Sequence, residues 1–190
     1  MDGADPINVP PAPDGMSRRR FLGGLAALGG SIILPSRARA SLGGQRHLSF
    51  VHAHTGDRLS IAYWGDGTYL PEALSRVDSF LRDFRTGERH PIDPALLDQL
   101  HALARATGTS APFQVISGYR SPRTNEALRA SRGGQARHSL HVVGRAVDVR
   151  LADVPSRALR DAAMDLGRGG VGYYRGDDFV HLDTGRFRHW

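Results

Sequence analysis

Between His47 and Asp183 the spacing of apolar residues switches repeatedly between two and about 3.6, with only short polar links between segments. A chain patterned this way has to mix strands and helices around one core. Residues 47 to 54 alternate as a strand does, with Leu48, Phe50 and His52 on one side. Residues 59 to 64 alternate again beyond the Thr55-Gly56-Asp57 turn, which predicts a hairpin. Helical spacing takes over from Pro71 to Phe84, through Leu74, Val77, Phe80, Leu81 and Phe84. It returns from Pro94 to Ala106, through Leu96, Leu97, Leu100 and Leu103, with Asp93 as the cap. A strand over residues 113–117, a loop over 118–122, a short helix over 124–131 and a loop over 132–137 follow. Val147, Val149 and Leu151 then share one strand face, and Ala146, Asp148 and Arg150 the other. A helix over 155–166 and strands over 169–174 and 179–183, turning at Gly176-Asp177, complete the reading. Irregular alternation with short links predicts an α+β domain, a small antiparallel sheet flanked by helices, rather than a doubly wound sheet.

The first 40 residues stand outside that domain. Ser17-Arg18-Arg19-Arg20-Phe21-Leu22 looks like a twin-arginine export signal, and an apolar stretch of 14 residues runs on to Leu34. Ala38-Arg39-Ala40 then has the small-x-small pattern of a signal-peptidase site. Fourteen residues fall short of a bilayer span, which takes roughly 20. The reading is therefore a cleaved signal peptide at 1–40, with Met16 as a second candidate start, and a folded domain at 41–190. That domain is expected in the periplasm or cell envelope, with no membrane span after cleavage. Removing the signal takes away five arginines and three aspartates, so the formal charge falls from +6 to +4. All 25 basic residues are arginine, spread along the chain. Such basicity suits nucleic acid, anionic lipid or an anionic wall polymer about equally, and the export signal argues against nucleic acid. With no cysteine, any metal must be held by His, Asp or Glu.

Three residues have that chemistry in a suggestive arrangement. His141 precedes Asp148 by seven positions with Gly144 between them, so a turn at the glycine brings a loop imidazole toward a strand carboxylate. His181, in Phe179-Val180-His181-Leu182-Asp183, falls on the strand face opposite Val180 and Leu182 and is a candidate third ligand. Three ligands without cysteine match a catalytic zinc, whose fourth position is left for water. The plain alternative is that each is a hydrogen-bonded structural residue; a cluster of all three, however, needs a cation or partners to offset its desolvation. Other histidines carry less. The His52-Ala53-His54 pair is not read as a shared metal site, and His138 is read as a loop residue. Of Tyr173 and Tyr174, at least one belongs to the core.

Ser139-x-His141-x-x-Gly144-x-Ala146-x-Asp148, with His181 in FVHLD, resembles the zinc D-alanyl-D-alanine peptidases of the hedgehog-like metallopeptidase group. ISGYRSPRTN, SLHVVGRAVDVRL and GGVGYYRGDDFVHLDTG resemble, more narrowly, its exported murein endopeptidase subfamily. YWGDGTY and FLRDFRTGERHPIDP extend the likeness over most of residues 47–190. The resemblance implies one Zn2+ held by His141, Asp148 and His181, and cleavage of an amide in peptidoglycan. It implies catalytic roles for Asp178, three residues before the last histidine where relatives carry a glutamate, and for Arg120, which would polarise the carbonyl or clamp a carboxylate. Asp183 is the competing base or an acceptor that orients an imidazole. Ser139 and Tyr119 are expected to touch substrate or support the zinc loop, and Ser139 is no nucleophile without a Ser-His-acid context. The alternatives are a D,D-carboxypeptidase acting on stem peptides and a zinc-containing wall-binding module that does not turn over.

Overall fold

A computed structural model describes residues 44–132 and 138–190. The signal-peptide reading at 1–40 lies outside the described residues, as does most of the loop read at 132–137.

Strand β1 (Arg46–His52) pairs antiparallel with β2 (Arg58–Gly65), setting Leu48 opposite Ile61 and Phe50 opposite Leu59 as the alternation requires. A two-residue β3 (Thr68–Tyr69) completes this edge. Helix α1 (Pro71–Phe80) stops four residues earlier than its apolar spacing predicts. The reason is Asp83: its carboxylate takes the Arg85 N–H and its backbone pairs with Glu88 and Gly87, offering the chain a tight loop in place of another helical turn. Helix α2 (Pro94–Thr107) begins as expected, with Asp93 accepting from the Ala95 N–H, and ends at Gly108 in the left-handed region.

Strand β4 (Phe113–Ser117) runs parallel to β1, reached only after the chain has passed through β2, β3 and the two helices. Helix α3 (Pro122–Arg132), a single 3-10 turn (Leu140–Val143), β5 (Ala146–Arg150), α4 (Ser156–Asp165), β6 (Gly170–Tyr174), β7 (Phe179–Asp183) and β8 (Arg188–His189) follow. The sheet is not small, nor antiparallel throughout. It is one mixed sheet of eight strands in the order β3-β2-β1-β4-β5-β7-β6-β8, with β1–β4 and β6–β8 parallel. Apolar periodicity reports which face a residue takes but not which strand lies beside it, and this is where the expectation of a small antiparallel sheet failed.

One face of the sheet is the core. Leu48, Phe50, Phe113, Val115, Val147, Val149, Val180 and Leu182 pack there against Val77 and Phe80 of α1, Leu96, Leu100 and Leu103 of α2 and Leu159 of α4. With the helices committed to that face, the polar residues of β5 and β7 face the other way. Among the described residues no helix is long and apolar enough to cross a membrane.

Candidate metal centre

Asp148 on β5 and His181 on β7 are direct cross-strand partners, so their side chains leave the same face side by side. His141 reaches them from the 3-10 turn. Gly144 closes that turn at φ +67° and its N–H bonds back to His141 and Leu140. A Cβ at this position would lie 2.1 Å from the Pro91 carbonyl oxygen, so glycine is required twice over. The glycine between His141 and Asp148 does what its spacing suggested.

The three ligand atoms converge. His141 Nε2 lies 3.1 Å from His181 Nδ1 and 3.3 Å from Asp148 Oδ1, and the last two are 2.8 Å apart. Ligands about 2.0–2.1 Å from a tetrahedral zinc sit about 3.3 Å from one another. All three side chains are buried. Each imidazole has its other nitrogen occupied: His141 Nδ1 donates to the Gly118 carbonyl at 2.8 Å, and His181 Nε2 donates to Asp183 Oδ2 at 3.2 Å. A carbonyl and an ionised carboxylate only accept, which turns a lone pair of each ring toward Asp148. Two lone pairs and a carboxylate aimed at one buried point require a positive charge there.

Asp183 is fully engaged in that support. It accepts from the Gly170 and Gly185 N–H groups at 2.9 and 2.8 Å and from Arg188 at 2.6 and 3.1 Å. Burial opposes its charge, yet these donors and His181 hold the carboxyl well below the usual carboxylate range. Arg120 is buried on the other flank, its guanidinium 3.6 Å from Asp148 Oδ2, with Ser117 Oγ and Asn125 Oδ1 accepting at 3.3 and 3.4 Å. Its loop is pinned by Asp83, which accepts from the Ser121 N–H and hydroxyl at 3.0 and 2.8 Å.

The remaining candidates are placed differently. Tyr119 stacks on His90, 5.0 Å between ring centroids, and its N–H donates to Leu81. Ser139 begins the 3-10 turn, where its carbonyl accepts the Val142 N–H. Asp178 is exposed in the β6–β7 turn at φ +52°, with Oδ1 accepting from the Ser156 hydroxyl at the head of α4. Among the described residues it is not one of the groups hydrogen-bonded to the His–Asp–His cluster. Sequence reading passed over Arg188, Ser117, Asp83 and the Gly118 carbonyl. One arginine among 25, one backbone oxygen and one more polar residue in the amphipathic stretch 71–84 carry no local signal.

The family model for the peptidoglycan L,D-endopeptidase MepK matches residues 40–190. The chain belongs to the MepK family. It is 41% identical over 178 residues to the peptidoglycan L,D-endopeptidase MepK of Escherichia coli K12, covering 92% of this chain and 97% of that one. The probable peptidoglycan L,D-endopeptidase MepK of Haemophilus influenzae is 38% identical over 172 residues, covering 89% and 91%.

In this MepK-family chain the charge demanded by the cluster has a measurable consequence. Without a metal, burial works against a cationic His181, but its hydrogen bonds to Asp148 and Asp183 outweigh burial and raise it to about 9. Because that value lies above the ordinary 6.5, protonated His181 stabilises the metal-free fold fully below pH 6.5. The contribution fades as pH rises through about 9. A metal needs the same nitrogen bare, so it must displace the proton. Zinc affinity is therefore expected to weaken about tenfold for each pH unit below about 9, measured by competition with a chromophoric chelator. A flat profile would show that His181 Nδ1 is not a ligand.

Proposed function

We propose that this chain is a zinc-dependent, exported endopeptidase that hydrolyses an L,D-peptide bond in cross-linked peptidoglycan. Family membership makes it a peptidoglycan-cleaving hydrolase. The observation that supports zinc is the convergence of His141 Nε2, Asp148 Oδ1 and His181 Nδ1, with both imidazoles tied from behind. The donor set fits the ion: nitrogen and carboxylate ligands, three in number, at separations close to a tetrahedral edge. Zinc bound there would supply an acidified water at neutral pH and polarise the scissile carbonyl.

The protein's own residues do the rest. Gly118 and Asp183 hold the two rings in fixed tautomers, so no reorientation precedes reaction. Arg120, buried beside Asp148, is positioned to donate to the carbonyl oxygen as charge develops on it. Asp178 takes a proton from the attacking water and passes it to the departing amine, leaving the Ser156 hydroxyl to do so. Asp183 does not fill that role, because its oxygens are consumed by four other groups and its affinity for a proton is low. Residues 1–40 act as the export signal, which delivers the domain to its wall substrate.

Incubating the protein with purified sacculi and resolving the released muropeptides tests this reading. Cross-linked dimers are expected to disappear. Arg120→Ala should lower the rate about 10²–10³-fold with zinc content unchanged. Intact dimers with loss of terminal D-alanine from monomers would indicate a carboxypeptidase, and no change at all a wall-binding module.

A further inference from the structure

An exposed indole lies against one of the metal ligands, and nothing in the proposed chemistry uses it. On β6 and β7 the residues Gly170, Gly172 and Tyr174 share a face with Phe179, His181 and Asp183, since Gly172 pairs with His181 and Tyr174 with Phe179. Trp190 follows β8 and is fixed by its backbone, its N–H donating to Val171 and its carbonyl accepting from Tyr173. Its ring covers Gly172 so closely that a Cβ there would come within 2.7 Å of indole atoms. The ring centroid is 5.3 Å from that of His181. Its Nε1–H donates to the Tyr174 hydroxyl at 3.3 Å, and the Arg188 guanidinium, already bound to Asp183, sits 5.0 Å from the ring. Tyr174 in turn stacks on Phe179 at 4.5 Å.

Fixed from these directions, Trp190 is nonetheless 51% exposed, and Tyr174 is 38% exposed. Rigid aromatic surface of this kind gives a ligand large contact area at small conformational cost, and contiguous exposed apolar surface marks a binding site. Arg188, beside the ring, is neutralised by Asp183, and Arg160, which lines the cleft next to Trp190, by Asp161, so the surface suits an uncharged aliphatic group rather than an anion. We propose that Trp190, with Tyr174 beside it, is a substrate-binding wall that holds the aliphatic part of a cross-linked stem peptide against the metal centre. Gly172 is what allows the wall to stand there. The assignment rests on the proposed peptidoglycan reaction for the nature of its occupant.

Steady-state cleavage of muropeptide dimers tests it. Trp190→Ala should raise KM about tenfold while kcat stays within about twofold and zinc content is unchanged. Trp190→Phe should recover most of the loss, and Gly172→Ala, which displaces the ring, should raise KM with the tryptophan still present. A second readout does not depend on the alanine variant folding. Trp64, the other tryptophan, is on β2 near the far edge of the sheet, so in Trp64→Phe protein the emission comes from Trp190 alone. Rapid mixing with muropeptide dimer should then change that emission saturably before product forms. An unchanged KM in Trp190→Ala, or a silent Trp190 on mixing, overturns the wall. If wild type leaves dimers uncleaved while Trp190 still responds, the hydrolytic reading fails and the wall stands.

Discussion

Replacing His181 by alanine is expected to abolish cleavage of cross-linked muropeptides and to remove the metal in the same step. His181 Nδ1 contacts both other ligand atoms, 2.8 Å from Asp148 and 3.1 Å from His141. Without it, two protein ligands remain, one fewer than a catalytic zinc keeps. The loss is also electrostatic: Asp148 is left with His141 and, 3.6 Å away, Arg120. The fold should survive, because Val180 and Leu182 on either side of position 181 carry the core contacts of β7 and an alanine disturbs neither. Elemental analysis, far-UV circular dichroism and the sacculus digest together check the prediction. Metal should fall from stoichiometric to background, activity to that of the buffer, and the spectrum should not change. A variant that keeps both ion and activity would remove His181 from the centre and with it the chemistry proposed.

The second large effect is expected from Asp178→Asn. Asparagine keeps the size of the side chain, tolerates the left-handed backbone at φ +52° and can still bond Ser156, but it cannot take up a proton. If Asp178 is the base, kcat should fall about 10²–10⁴-fold while zinc content stays at the wild-type level. That separation of metal from activity distinguishes it from His181→Ala. Ser156→Ala gives the complementary check: freeing the carboxylate from its hydroxyl partner should leave kcat intact or increase it. Full activity in Asp178→Asn would return the proton-transfer role to Asp183 despite its saturated oxygens.

Much of this arrangement is legible in the amino-acid sequence. Alternation placed Asp148 opposite Val147 and Val149, and His181 opposite Val180 and Leu182, and both assignments hold because the helices cover the apolar face. Proline and aspartate marked the start of α2 correctly. The helix from Pro71 was over-extended because Leu81 and Phe84 continue its period, while the Asp83 side chain, whose hydrogen bonds end it, has no period. Ser117 is a sharper case. Simple alternation from Phe113 and Val115 would put it with the core, but the β4–β5 register shifts between Val115 and Ser117, setting Ser117 opposite Asp148, where it accepts from Arg120. A bulge is decided by the partner strand, so the strand's own sequence does not announce it.

Read alone, the sequence determined the kinds of donor available, with no cysteine among them, the turn at Gly144 and the face each strand residue takes, all of which depend on nearest neighbours and backbone geometry. Tertiary structure decided the rest: that Asp148 pairs with His181 across 33 positions, that His141 meets His181 across 40, which nitrogen of each ring is left bare, that Arg188 binds Asp183 and that the Trp190 ring lies beside His181. These are contacts between segments far apart in the chain. Each depends on partners that offset the cost of burying charge, and no local period in the sequence records which partners those are.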